Sequence, residues 1–196
     1  MVKSAFFCVM PLVAALITGC GNSVLRPHTP AVASGGPTTP VKPVDLVRST
    51  AATNCGIPKL KEAVLQEVNA LRASGQTCGR QSMAPAPPLV WNDVLFSAAA
   101  RHSRDMAQRN YFDHVTPEGA RIAQRASAEG YNWRAVAENI AGGDTDVDSV
   151  VSGWRASSGH CSAMLDPKYT EVGVACVQRS GTKWGTYWTM VLGKRR

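Results

Sequence analysis

Three short stretches hold side chains able to do chemistry: Asn110-Tyr111-Phe112-Asp113-His114, Ala137-Glu138-Asn139-Ile140-Ala141 and Trp154-Arg155-Ala156-Ser157-Ser158-Gly159-His160. An imidazole that titrates near neutral pH can hold a metal or pass a proton, and a nearby carboxylate can orient it or act as a base. Taken singly, each stretch is weak, because a histidine beside aromatic residues more often packs or caps, and Glu-Asn often turns. Ser157 or Ser158 with His160 and Glu138 would make a nucleophile set. However, residues two or three apart need not face one another, and no nucleophile-elbow pattern surrounds them. Asp144, Asp146 and Asp148 lack the glycine and distal glutamate of an EF-hand, which excludes that calcium loop.

The elements that must position these groups can be read from periodicity. Leu60, Val64, Val68 and Leu71 share one face of a helix opened by Pro58 and ended by Gly75. After the Pro-rich loop Ala84 to Pro88, Asn92 or Asp93 caps a second helix, with Leu95, Ala98, Ala99, His102 and Met106 inward. His102 is expected to pack against the sheet. Thr116-Pro117 is expected to start a third, short helix through Ile122 and Ala126, stopped by Gly130. The three aspartates open a fourth, with Val147, Val150, Val151 and Trp154 inside. The period then changes to two. Glu171 to Gln178 and Trp184 to Leu192 alternate as strands around the turn Arg179-Ser180-Gly181-Thr182. Leu89-Val90-Trp91 or Arg134-Ala135-Val136 could supply a further strand, and Glu138 is expected where a loop begins. Helices first and an antiparallel sheet after give an α+β fold, a layered sandwich.

The ends of the chain concern its address. Lys3 and the apolar run Ala5 to Ile17 have the form of a secretory signal, too short to span a membrane. Ile17-Thr18-Gly19-Cys20 fits a bacterial lipobox, which would make Cys20 the acylated N-terminus of the mature protein, carrying palmitoyl-type chains. Gly21 in place of Asp favours the outer membrane or periplasmic face in a diderm organism. Residues 1–19 are thus read as signal peptide, 20–54 as lipidated cysteine and Pro/Thr-rich flexible linker, and 55–196 as the folded domain. The 196-residue chain is 44% hydrophobic and 18% charged, with a net charge of +7. Its basic residues are scattered, apart from the Lys194-Arg195-Arg196 tail. That spread suits an anionic envelope surface and argues against nucleic acid. Cys55, Cys78, Cys161 and Cys176 remain for two disulfides, with three possible pairings. Cys55–Cys78, clamping the first helix, and Cys161–Cys176, tying a helix to the next strand, are favoured over a tetrathiolate zinc site because no Cys-x-x-Cys pair exists.

In order and spacing, the three chemical stretches resemble the CAP superfamily of cysteine-rich secretory proteins, venom antigens and plant pathogenesis-related proteins, its bacterial branch above all. Further matching stretches are Val68-Asn69-Ala70-Leu71-Arg72, Leu89-Val90-Trp91-Asn92, Arg101 to Met106, Thr116-Pro117-Glu118-Gly119, Gly130-Tyr131 and Tyr169 to Val174. The resemblance implies an α-β-α sandwich with a central cleft lined by two histidines and two acids. Carried over, His114 and His160 are the histidines, Glu138 the first acid, and Ser157 stands where the second acid would fall. The implied cleft is His114, Glu138, Ser157 and His160. Its implied zinc ligands are His114, His160 and Glu138, with water in the fourth position. Two functions follow as expectations: a lipid-anchored extracytoplasmic module binding a lipid, cell-wall or protein ligand, or a metal-dependent hydrolase of peptidoglycan or peptides with Glu138 as general base.

Overall fold

The computed structural model describes residues 53–196. The expected signal peptide, Cys20 and the linker up to residue 52 lie outside the described residues. The fold begins slightly earlier than expected: the Cys176 amide donates to the Thr53 carbonyl at 2.9 Å, and Asn54 bridges Cys176 in parallel.

Helix α1, Leu60–Ser74, buries Leu60, Val64, Val68 and Arg72 on one face. Arg72 occupies what would otherwise be an apolar position, and it is fully buried. Its guanidinium donates to the carbonyls of Pro87 (2.7 Å), Met164 (2.6 Å), Asp166 (3.2 Å) and Tyr169 (3.1 Å). One side chain thereby satisfies four main-chain acceptors that would otherwise be costly to bury. Gly75 ends the helix at φ 62°, and a Cβ there would lie 2.6 Å from the Met83 carbonyl oxygen. A hairpin follows, β1 (Gln76–Cys78) with β2 (Gln81–Met83).

The second helix, α2, spans Asp93–Arg109. Asn92 is its cap, with Oδ1 accepting from the Val94 and Leu95 amides. Its buried face is largely alanine, which lets the backbone come close to the sheet. At Gly173 the approach is so tight that a Cβ would sit 2.1 Å from the Phe96 nitrogen. Helix α3, Ile122–Ala128, starts later than expected from Thr116-Pro117. Residues 116–120 instead close a turn, Gly119 amide to Thr116 carbonyl at 2.7 Å, and Gly119 at φ +87° cannot continue a helix. Helices α4, Val147–Ala156, capped by Asp146, and α5, Ser158–Leu165, follow.

The main sheet has the order β3-β5-β6-β4, with β3 at Val90–Trp91, β4 at Trp133–Gly142, β5 at Glu171–Gln178 and β6 at Thr186–Arg195. Only β3 runs parallel to its neighbour. Both candidate strand segments are therefore used, and Glu138 lies within β4 opposite Val191, not where a loop begins. On one face Val172, Val174, Trp188, Met190 and Leu192 join Val64, Val68, Val150 and Trp154 in a core. On the other, Ala175 and Val191 meet Leu95, Ala98 and Ala99. Because helices cover both faces, β5 and β6 are buried almost continuously and do not alternate. The result is an α-β-α sandwich, the α+β class expected.

The disulfides differ from the favoured pairing. Cys55 bonds Cys176 and Cys78 bonds Cys161; Cys55–Cys78 and Cys161–Cys176 are not formed. Thr53 and Asn54 run beside β5, bringing Cys55 to Cys176, while the β1–β2 hairpin lies against α5.

Candidate functional site at the β4 edge

Strand β4 points alternate side chains to opposite layers. Ala137 packs into the α1/α4 core, whereas Glu138 faces α2 and α3. The Glu138 side chain is only 2% exposed, so its charge needs a partner. Arg125 of α3, 10% exposed, supplies it by donating from Nη2 to Oε2. The same guanidinium donates from Nη1 to the His114 carbonyl (3.0 Å) and the Ala120 carbonyl (2.8 Å). Arg125 therefore neutralises the carboxylate and fixes the loop that carries His114.

The second carboxylate oxygen takes His114: Nδ1 lies 2.9 Å from Oε1. Since a carboxylate only accepts, Nδ1 carries the proton, and the neutral ring keeps its lone pair on Nε2. The Glu138 hydrogen bond raises the His114 pKa against the opposing effect of burial. Across the strand edge, the His160 ring sits 6.5 Å from that of His114, centroid to centroid. His160 lies in the first turn of α5, and its carbonyl accepts from Asn139 Nδ2 at 3.1 Å. Its imidazole makes no hydrogen bond among the described residues. Burial, reinforced by His114, lowers its pKa and favours the neutral ring. Three of the four expected cleft residues thus meet. Ser157 forms the α4–α5 junction, its amide donating to Trp154 and its carbonyl accepting from Cys161. Its hydroxyl forms no hydrogen bond to the other three.

His102 packs as expected, with no side-chain exposure, but it also belongs to this cluster. Its Nε2 donates to the Asp113 carbonyl at 3.0 Å and lies 3.9 Å from Glu138 Oε1. Burial lowers its pKa, against the pull of Glu138, so it sits neutral behind the carboxylate. Among the described residues, the buried side-chain atoms without a partner are His102 Nδ1, Arg125 Nε and Asn139 Oδ1. All three belong to residues beside Glu138 or bonded to His160. Such orphans are rare in native folds, and an ordered water or a bound ion commonly meets them. Arg125 and Asn139 were not singled out from sequence. Arg125 adjoins Ala126, the buried residue of α3, which puts a cation at the edge of that helix's inner face.

Among the described residues, no group of three or more His, Cys, Asp or Glu is arranged to hold a metal ion. The direct donors are two imidazoles. Glu138, with one oxygen on Arg125 and the other on His114, has the orienting role that carboxylates commonly take behind a metal-bound histidine. Two imidazoles are fewer than the three protein ligands of a catalytic zinc site, so a metal there would depend on an external ligand to complete its coordination.

A sandwich with helices on both faces of a four-stranded sheet, and paired histidines over one edge strand, defines a class of α+β domain. Sequence comparison gives the family: the model of the CAP, or cysteine-rich secretory protein, family matches residues 65–192, and the chain belongs to it. It is 35% identical over 97 residues to the uncharacterized protein YkwD of Bacillus subtilis, covering 50% of this chain and 37% of that protein. Identity is also 35% over 86 residues with the uncharacterized membrane protein YlbC of the same organism, covering 44% of this chain and 25% of that protein. The chain thus spans well under half the length of either relative. Among solved structures, an outer surface protein of Borrelia burgdorferi superposes with a TM-score of 0.59 at 18% identity, covering 69% of this chain and 92% of that one. An extracellular SCP-domain protein of Bacillus anthracis gives 0.54 at 22% identity, covering 81% and 45%. No helix among the described residues is long and apolar enough to cross a membrane.

Proposed function

We propose that this chain is an exported CAP domain, anchored to the cell envelope through an acylated Cys20, that binds an envelope ligand over the His114–His160 pair. The observation that carries the reading is the state of the two imidazoles. His114 is oriented through Nδ1 by a buried carboxylate, and His160 faces it 6.5 Å away without an internal partner. Among the described residues the His160 ring neither accepts nor donates a hydrogen bond, which leaves its nitrogens open to a ligand beside His114. A divalent cation such as zinc would bind both imidazoles in their neutral forms, displacing the proton that Glu138 favours on His114, and would supply a Lewis-acidic point for a ligand oxygen. Location draws on the lipobox sequence and on relatives described as an outer surface protein and an extracellular protein.

Binding is favoured over hydrolysis. Glu138 would be the general base of a metallohydrolase, but its oxygens are held by Arg125 and His114 and its side chain is 2% exposed. A base must reach the water it deprotonates. The test is calorimetric zinc titration of the oxidised protein. Wild type should bind, His160→Ala should lose binding, and Ser157→Glu should tighten it by adding an anion three positions from His160. Equal affinity in wild type and His160→Ala would make the cluster a purely structural one.

A further inference from the structure

Beside the site, the molecule presents an aromatic surface that the fold does not need. Phe112 and Trp184 are 37% and 38% exposed, with ring centroids 5.2 Å apart. Phe112 lies two residues before His114 in the same loop, while Trp184 comes from the β5–β6 hairpin. The two segments are locked together by Asn110. Its Oδ1 accepts from the Lys183 amide at 3.0 Å and from the Tyr187 hydroxyl at 3.2 Å. Asn110 itself takes φ 53° as the C-cap of α2, a conformation asparagine tolerates better than most residues. The indole rests against β4 at Gly142, where a Cβ would come 3.0 Å from its Cγ. The missing side chain lets the ring lie down instead of projecting.

Charge completes the picture. The hairpin tip from Arg179 to Gly185 carries Arg179, Lys183 and Trp184 and no acid. The Lys183 ammonium sits over the Trp184 ring, 5.1 Å from its centroid.

We infer that Phe112, Trp184 and Lys183 form a docking platform for an anionic glycan strand of the cell wall, a carboxylate-bearing aminosugar chain that continues toward His114 and His160. A pyranose ring has an apolar C–H face that suits an aromatic surface and an edge of hydroxyls and carboxylates that suits the flanking cation. An acyl chain would require an enclosed apolar channel, which two half-exposed rings bordered by lysine and threonine do not provide. Insertion into a membrane interface would favour rings that project, whereas Trp184 lies against Gly142. The inference rests on the ligand-site reading only in the direction it gives the bound strand.

The test is co-sedimentation of the full-length protein, in detergent, with purified peptidoglycan sacculi, and separately with phosphatidylglycerol vesicles. Wild type should sediment with sacculi. Trp184→Ala should weaken that binding about fivefold or more, as truncation of an aromatic anchor does. Trp184→Phe should retain most of it, and Lys183→Glu, an exposed change that spares the fold, should weaken it as well. His160→Ala separates the two readings: sacculus binding kept by His160→Ala but lost by Trp184→Ala supports the platform alone. Wild-type binding unchanged in both Trp184→Ala and Lys183→Glu, or absent altogether, overturns the platform. Binding to vesicles in preference to sacculi overturns it in favour of a membrane surface.

Discussion

Glu138 and Arg125 form a buried ion pair, and the two cannot be treated as separate residues. Removing one partner of a buried ion pair leaves the other uncompensated, at a cost of about 3–5 kcal/mol. Arg125→Met should therefore destabilise the domain by about that amount in chemical denaturation and also free the His114 loop, whose carbonyl the guanidinium holds. Arg125→Met with Glu138→Gln should recover much of the loss, because no buried charge then remains. The neighbouring His102 gives a pH prediction. Its folded pKa lies below the ordinary value of about 6.5 because burial disfavours the cation. A depressed pKa means the unfolded chain binds the proton more tightly. The stability tied to His102 is thus complete above about pH 6.5 and falls as pH drops toward the folded pKa. His114 has the opposite sign: its raised pKa adds stability at low pH that disappears as pH rises through the folded value. Below about pH 6.5, His102→Gln should flatten the rise of denaturation midpoints with pH, whereas His114→Gln should remove a decline that lies above about pH 6.5.

At the scale of elements, the disulfides place the site. Cys161 follows His160 directly, and its bond to Cys78 fastens α5 to the β1–β2 hairpin, whose Gly79 closes on Ser158 so tightly that a Cβ would lie 2.8 Å from the serine Cβ. Cys55–Cys176 instead ties the first described segment to β5, away from both histidines. Either loss should cost on the order of 2–5 kcal/mol, since both close long loops. Only Cys78→Ser with Cys161→Ser should also weaken zinc binding in calorimetry; the Cys55→Ser, Cys176→Ser protein should bind as wild type does. What sequence could reveal divides along the same line. Helices α1, α2 and α4 announce themselves by period and caps, whereas β5 and β6 lie where strands are expected but without the alternation that located them; the ordered motifs join His114, Glu138 and His160 through family resemblance. Arg125 is invisible because its role depends on α3 crossing to β4, a contact between residues 13 apart that no local pattern encodes. The cysteine pairing misleads for a related reason. Neighbours along the chain are the natural first choice of partners, yet the sheet brings position 55 to position 176, a separation of 121 residues. Glu138 reads as a loop residue because β4, at a sheet edge beneath loop and helix, has a mixed burial pattern without strict alternation.

For the molecule as a whole, the question is where the domain meets its ligand. A net charge of +7, basic residues at the hairpin tip and a basic C-terminal tail make the chain attractive to anionic surfaces at long range. Attraction of that kind is screened within about 10 Å at moderate salt, so it can steer the domain but not retain it. Retention is the part assigned to Cys20. Each buried methylene contributes about 0.8 kcal/mol, so one acyl chain holds a protein marginally and two or three hold it stably. If the 32 residues from Gly21 to Ala52 act as the expected linker, they set the radius of search, an r.m.s. span of roughly 30 Å for a flexible chain. In cells fed a clickable palmitate analogue, the wild-type chain should take up label and partition with membranes. Cys20→Ser should lose both while keeping its two disulfides and its fold, because neither disulfide uses Cys20. Shortening the linker by half in the wild-type background should leave labelling intact and reduce sacculus capture in cells, since the domain would still be anchored but would reach less wall. Label that persists in Cys20→Ser would remove the lipid anchor from the account and leave long-range charge, the histidine site and the Phe112–Trp184 platform to explain any association with the envelope.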